Sequence, residues 1–181
     1  QKPPPVYVAC IFTPESFEWT GKVGHNLMVV PYALPDPEAL VGRIQLFNQV
    51  RQASGYTSAP EVLGVYHFYC GETPEKAKEE PREAMLRYLQ AVVSSNQEDA
   101  YSDQYKAYKG LKDAFNTFDY EGYMYPHKVI FGDPDQCVER IKEIQAMGVT
   151  NVSLLPNFGG LDHGKIMASL DLFGKEVLPR V

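Results

Sequence analysis

Apolar and polar positions alternate along the chain in blocks, and most apolar blocks are followed by a segment with helical spacing. The predicted buried strands lie at residues 6–12, 27–30, 62–70 and 152–155. The run at 6–12 is almost wholly apolar, which is typical of a strand that is covered on both faces. Within residues 37–54, Leu40, Ile44 and Phe47 recur at helical spacing. The pattern therefore predicts a strand–helix alternation built from parallel units.

Four predicted helices begin with an oxygen-bearing residue, then proline, then an acid. The four are Thr13-Pro14-Glu15, Asp36-Pro37-Glu38, Thr73-Pro74-Glu75 and Asp133-Pro134-Asp135. Thr or Asp caps backbone N–H groups, proline suits the first helical position, and a carboxylate suits the positive end of the helix dipole. A helix N-terminus after a strand is also where α/β proteins bind phosphate, but four such ends cannot all be binding sites.

These starts and the glycines that follow set the predicted helix bounds. The helices cover residues 14–23, 37–54, a segment from 74 with a kink or second start at 81, 134–147 and 162–177. Residues 128–131 mark the return of the alternation after an interruption. The interruption, residues 94–125, is polar and tyrosine-rich and is predicted to contain one or two helices.

That interruption is interpreted as an insertion, with two roles left open. Its aromatic residues are Tyr101, Tyr105, Tyr108, Phe115, Phe118, Tyr120 and Tyr123. They would either form a lid over an apolar substrate or pack the insertion onto the protein or a partner subunit. The sequence favours neither role.

Two α/β folds fit a single domain over residues 1–181. Four βα units with one insertion make half of an eight-stranded (β/α) barrel, because a full barrel needs about 250 residues. A small open doubly wound sheet also tolerates four strands, and composition slightly favours it.

Composition excludes some classes of function. The chain has 17 basic and 23 acidic residues, a net charge of −6 and a pI near 5.2, which argues against nucleic acid as a partner. Neither a membrane-span run nor a signal peptide is recognised, and Cys10, Cys70 and Cys137 are predicted to be reduced, buried thiols without metal spacing. We expect a cytoplasmic protein. The start at Gln1, without methionine, is expected to be a cut end.

Spaced residues across almost the whole chain resemble the bacterial luciferase-like, flavin-dependent monooxygenases. In the first part they are Val6-Tyr7-Val8-Ala9, Thr13, Ser16, Glu18-Trp19 and Gly24. The closing part resembles the family's C-terminal signature through Phe131-Gly132-Asp133-Pro134-Asp135-Gln136-Cys137, Ile141, Gly148-Val149, Met167-Ala168-Ser169-Leu170 and Leu178-Pro179. The similarity is weakest over residues 94–125.

This resemblance implies the C-terminal half, strands five to eight, of a (β/α)8 TIM barrel. It implies binding of reduced FMN, or of the deazaflavin F420, at the C-terminal mouth of the barrel, with dioxygen acting on an organic substrate. By the same resemblance, Thr13 and Ser16 hold the flavin phosphate. Ala9, with the backbone that follows it, and Val30-Pro31 lie near the flavin. The family's principal catalytic histidine belongs to the other half, so the resemblance assigns no catalytic residue to this chain.

Other candidates have simpler interpretations. Glu15 would have to point to solvent, because its charge lies close to any phosphate at this helix end. Gly159-Gly160 is a rival phosphate loop, for which a flexible loop with positive φ is favoured. His67 is expected in the core or the barrel lumen, His25 at the surface, and His127 and His163 in loops. None of the four has a spaced partner for a triad or a metal.

Three functions are consistent with these observations. The first is part of a flavin-dependent monooxygenase, incomplete and inactive alone. The second is a non-catalytic flavin-binding or subunit-like barrel. The third is an assembly module, because residues 6–12 and 152–155 would be unpaired sheet edges; a homo-oligomer, a dimer or larger, is predicted.

Overall fold

The strands and helices follow the predicted alternation. The computed structural model describes residues 4–11, 13–34, 36–95, 120–125 and 127–181. The strands are β1 Tyr7–Cys10, β2 Asn26–Val29, β3 Val62–Cys70, β4 Ile130–Gly132 and β5 Asn151–Leu155. The helices are α1 Pro14–Val23, α2 Pro37–Ala53, α3 Pro74–Glu79, α4 Arg82–Ser95, α5 Pro134–Ala146 and α6 His163–Leu172. Shorter turns are the 3-10 segments Pro31–Ala33 and Leu178–Arg180 and the π-helical segments Tyr120–Met124 and Phe173–Val177.

The described chain divides into two compact units. The first contains Gln1–Tyr66 and Lys142–Leu154, and the second contains His67–Ile141 and Leu155–Val181. The prediction of one domain with an insertion over residues 94–125 stays a prediction, because residues 96–119 lie outside the described part.

The first unit is a parallel sheet covered by α1 and α2. β1 pairs in parallel with β2, and β2 with β3, so that Cys10 lies opposite Val29 and Val29 opposite Gly64. β5 pairs with β3, and the Thr150 amide donates to the Val62 carbonyl at 2.9 Å. The core is apolar and is formed by Phe17, Leu27, Val29, Leu40, Ile44 and Phe47.

Gly21 lets α1 lie close against α2. A Cβ atom at Gly21 would be 2.6 Å from the Phe47 carbonyl oxygen and 3.1 Å from the Arg51 amide nitrogen, both backbone atoms. Only glycine fits such an approach without moving a helix. The position of α1 is therefore set by backbone-to-backbone packing.

A polar network joins the starts of the strands in the first unit. The Tyr7 hydroxyl donates to the Glu61 carboxylate, to which Asn151 Nδ2 also donates at 2.8 Å. The Glu61 amide in turn donates to Asn26 Oδ1 at 3.1 Å. One residue thus links the first residues of β1, β2 and β5.

The second unit contains the carboxyl end of β3, which pairs in parallel with β4. Phe68 lies opposite Ile130 and Cys70 opposite Gly132. Its buried side chains include Phe68, Met85, Met124, Ile130, Phe158 and Val177. Pro81 separates α3 from α4, as the second-start interpretation predicted. β4 is a fifth strand, in addition to the four that the sequence predicts as buried. It lies where the alternation is predicted to resume, at residues 128–131.

Candidate functional site

Thr13 precedes α1 but does not cap it. Its side chain accepts no hydrogen bond from the helix backbone; instead Thr13 Oγ1 and Ser16 Oγ lie 2.7 Å apart. Both residues are half-buried. The sister residues do cap: Asp36 accepts from the Ala39 amide at 2.7 Å and Thr73 from the Lys76 amide at 3.3 Å. Hence the first of the four similar sequences has a different geometry.

The hydroxyl pair rests on a buried polar layer. Thr20, with no exposed surface, donates its hydroxyl to the Ser16 carbonyl at 2.7 Å. Cys10 Sγ lies 3.3 Å from Thr20 Oγ1, and burial raises the pKa of the Cys10 thiol. Cys10 therefore stays protonated and anchors the end of β1 to α1.

Glu15 is exposed to solvent. Its carboxylate thus meets the condition that the resemblance imposed on it. The acid adds a negative charge at the first turn without occupying the position of the two hydroxyls.

The register of the sheet brings Ala9, Val30 and Pro31 to the same edge as Thr13. Ala9 lies opposite Met28, and Cys10 opposite Val29, so β1 and β2 end together. β2 ends at Val29 rather than at the predicted Val30, which is half-buried, and the buried Pro31 begins a 3-10 turn. These residues therefore follow adjacent strand ends.

One face of this sheet is less covered than the other. Ala9 is exposed, and its neighbours across the ladder, Met28 and Leu63, are half-buried. Cys10 and Val29 point to the opposite face, which is buried. Together, the sheet end and this face offer a small apolar wall beside two hydroxyls at a helix N-terminus, a combination that suits an anionic group attached to an apolar ring.

The rival loop has a structural explanation. Gly159 and Gly160 have φ angles of 54° and 73°, as the loop interpretation predicted. A Cβ atom at Gly159 would be 1.7 Å from the Ala84 carbonyl oxygen, and the Gly159 carbonyl accepts from Arg87 Nε at 2.7 Å. This loop is packed onto α4.

The histidines occupy separate places. His67 is fully buried and its ring centroid lies 4.4 Å from that of Tyr88 and 5.2 Å from that of Phe158. Burial lowers the pKa of His67 to about 4, so it is neutral near pH 7. His25 is half-buried rather than at the surface, while His127 and His163 are exposed. His163 begins α6 and does not lie in the predicted loop.

No metal site is formed by the residues described here, since no three His, Cys, Asp or Glu side chains converge.

Of the aromatic insertion, Tyr120 is described: its hydroxyl donates to the Lys78 carbonyl at 2.6 Å. Tyr120 therefore packs against α3. The predicted lid residues from Tyr101 to Phe118 lie outside the described part.

The second unit contains a charged cavity that the sequence does not predict. It has a volume of about 550 Å³ and follows the carboxyl end of β3. Its wall includes Tyr69, Cys70, Glu72, Lys76, Glu80 and Lys165. The Tyr69 hydroxyl donates to Glu80, and burial, followed by this bond, raises the pKa of Tyr69. The pair combines a strand residue with one that ends α3, so no local motif predicted it.

Comparisons with known proteins identify the fold. The family profile described as luciferase-like monooxygenase matches residues 1–151. Monooxygenase RslO1 from Streptomyces bottropensis is 23% identical with a TM-score of 0.73, over 97% of this chain and 48% of that chain. The oxygenating constituent of 3,6-diketocamphane monooxygenase from Pseudomonas putida, a type II Baeyer–Villiger monooxygenase in complex with FMN, is 18% identical with a TM-score of 0.69, over 99% and 50%.

An F420-dependent secondary alcohol dehydrogenase in complex with an F420–acetone adduct is 20% identical with a TM-score of 0.69, over 99% of this chain and 49% of that one. No curated protein sequence matches. The chain spans about half the length of these structures, which confirms the predicted fold class, half of a (β/α)8 barrel. In the described residues, no helix combines the length and apolarity needed to cross a bilayer.

Proposed function

Because the chain belongs to the luciferase-like monooxygenase family, we propose that it supplies the phosphate-binding side of a flavin-dependent oxidoreductase. The proposed cofactor is FMN, with F420 as the alternative, and the proposed reaction is oxygenation of a small organic substrate with dioxygen. When bound, the reduced flavin would supply electrons to dioxygen. A second half, from the same or another polypeptide, would complete the barrel and carry the catalytic residues.

The observation that carries this proposal is the hydroxyl pair of Thr13 and Ser16. Neither side chain is needed to cap α1, because Thr13 Oγ1 is bonded to Ser16 Oγ. Each hydroxyl can rotate to donate to a phosphate oxygen, and the helix dipole favours the negative charge. Thr20 and Gly21 hold this turn in place behind them.

The apolar wall would receive the ring of the cofactor. Ala9 has a small side chain, so the ring can approach β1 closely, and Val30 and Pro31 would border it after β2. Met28 and Leu63 on the same face would exclude water from the bound ring.

A titration of the intact protein with FMN tests the phosphate site. We expect Thr13→Val and Ser16→Ala each to weaken binding at least about tenfold, because a hydrogen bond to a charged group contributes about 1.5–3 kcal/mol. Thr73→Val is the matched control, since Thr73 belongs to a sister sequence and does cap its helix. It should lower stability by about 1 kcal/mol and leave FMN affinity unchanged.

Equal affinity of the Thr13→Val variant and the original protein would reject the phosphate site. A parallel titration with F420 decides the cofactor. FMN binding without oxygen-dependent turnover on any substrate would instead support the non-catalytic flavin-binding barrel.

We also propose that β1 pairs with another chain or with the half that would complete the barrel. β1 stands at one end of the strand order of the described residues, with β2 beside it. An edge strand of this kind presents unpaired backbone groups. Light scattering of the purified chain should show a dimer or larger assembly, and a uniform monomer of 20.4 kDa would refute self-association.

A further inference from the structure

Two of the three cysteines have no role in the proposed flavin site. Cys10 is bonded to Thr20 in the first unit. Cys70 and Cys137 both belong to the second unit, are free thiols and are each 1% exposed. They lie 67 positions apart in the sequence, at the end of β3 and in the first turn of α5.

Both cysteines lie beside Gly132. The strand register places Cys70 opposite Gly132. The Gly132 carbonyl accepts from the Gly71 amide at 3.0 Å and from the Cys137 thiol at 3.4 Å. Cys70 therefore neighbours the residue whose carbonyl accepts from the Cys137 thiol.

Gly132 makes this convergence possible. A Cβ atom there would be 2.6 Å from Gln136 Cβ and 3.3 Å from the Cys137 amide nitrogen. Because glycine has no side chain, the first turn of α5 approaches the end of β4 closely. Cys137 is thereby brought beside Cys70.

The two thiols differ in acidity and in access. The influence of Cys137 lowers the pKa of Cys70, and the influence of Cys70, together with burial, raises the pKa of Cys137. Cys70 borders the cavity of about 550 Å³, whereas Cys137 does not line it. A small oxidant that enters the cavity therefore meets the more acidic thiol first.

We propose that Cys70 and Cys137 are a redox-active pair that closes into a disulfide when hydrogen peroxide enters this cavity. The Cys70 thiolate attacks one peroxide oxygen, so that an S–O bond forms, the O–O bond breaks and hydroxide leaves to become water. The Cys137 sulfur then attacks Cys70, the S–S bond forms and the S–O bond breaks, releasing a second water. Two thiols lose two electrons in total, and peroxide is reduced to two waters.

Closure would move the start of α5 toward β3. The bond length of a disulfide, about 2.0 Å, is much shorter than the separation of two sulfur atoms that are not bonded. Since Cys70 is part of the cavity wall, the cavity would change shape with the redox state, and a thiol reductant would restore it.

Peptide mapping of the purified protein under non-reducing conditions tests the proposal. After treatment with hydrogen peroxide, free thiols should fall from three to one and a Cys70–Cys137 cross-linked peptide should appear. Dithiothreitol should restore all three. The Cys137→Ser variant should instead accumulate a Cys70 sulfenic acid that reacts with dimedone, while Cys10→Ser, the matched control, should form the same cross-link as the original protein.

Three unmodified thiols after peroxide treatment, a cross-link that includes Cys10, or conversion of Cys70 to sulfinic acid with Cys137 intact would each overturn the proposal. The mapping of the unsubstituted protein decides the question even if a serine variant fails to fold. Flavin binding is not part of the readout, so the outcome is independent of the phosphate site.

Discussion

The first turns of α1 and α5 have similar sequences but different hydrogen bonds. At α5, the Gln136 amide donates to Asp133 Oδ1 at 2.9 Å and the Asp133 amide donates to Gln136 Oε1 at 3.1 Å, a reciprocal capping box. At α1, the Thr13 and Ser16 side chains meet each other at 2.7 Å instead. In both turns an oxygen-bearing residue is followed by proline and an acid.

The difference depends on the third residue after the cap position. Gln136 has a side chain long enough to reach back to the backbone of Asp133, so its polar groups serve the helix. Ser16 is too short for that bond, and its hydroxyl is placed beside the hydroxyl of Thr13. One turn uses its polar side chains for stability, and the other contains the two hydroxyls that we propose bind the phosphate.

The largest expected effect comes from moving α1 itself. Gly21→Ala should destabilise the protein by about 2 kcal/mol, because overpacking against backbone costs about 1–3 kcal/mol and helix propensity returns less than about 1 kcal/mol. It should also weaken FMN binding, since the hydroxyl pair moves with α1. Thermal unfolding and FMN titration measure both.

Gly42→Ala is the matched control. A Cβ atom at Gly42, in the middle of α2, meets nothing within 4 Å. This variant should gain about 0.5–1 kcal/mol of stability with unchanged FMN affinity. If Gly21→Ala behaves like Gly42→Ala, the packing does not position α1.

Loss of the cap at α5 should have the next largest effect. Asp133→Ala removes one bond of the capping box and should lower the free energy of unfolding by about 1–2 kcal/mol. Urea denaturation measures the change. Thr13→Ala provides the contrast: a loss as large as that of Asp133→Ala would show that Thr13 stabilises α1 as strongly as a cap residue does.

Converting one turn into the other should have a smaller effect on stability. Ser16→Gln gives α1 the spacing of a capping box and should raise stability by about 0.5 kcal/mol. It removes one hydroxyl, so FMN binding should weaken by about tenfold. A Ser16→Gln variant that binds FMN as tightly as the original would place the phosphate elsewhere.

The smallest effect is expected at Glu15. Glu15→Gln removes an exposed negative charge near the proposed phosphate and should raise FMN affinity about two- to threefold at low ionic strength. The gain should shrink in 0.5 M salt, because exposed charges are screened. A gain independent of salt would contradict this electrostatic explanation.

The sequence predicted the elements well where local residues determine them. The starts of α1, α2, α3 and α5 coincide with proline residues, and β3 has the predicted bounds. For β4, the sequence predicts only that the alternation resumes at residues 128–131. It does not predict a separate strand there, because the three residues of β4 depend on pairing with Phe68 to Cys70. Tertiary pairing, not propensity, defines such a short strand.

The candidate site shows the same division. Thr13 and Ser16 are candidates through the family resemblance alone, and the sequence does not predict their mutual bond, because it predicts that Thr13 caps α1. Cys70 lies near Cys137, and Tyr69 is bonded to Glu80, because of the strand register and the closure of loops. No local sequence motif predicts either of these tertiary features.

The Glu61 network has a consequence for biosynthesis. Its bonds join residues 54 and 90 positions apart, from Tyr7 to Asn151. The first unit is also discontinuous, since Lys142–Leu154 completes it after the second unit has begun. On a ribosome, this sheet cannot be completed until residue 151 has emerged, so in the nascent chain Glu61 lacks its Asn151 partner while the next 90 residues are made.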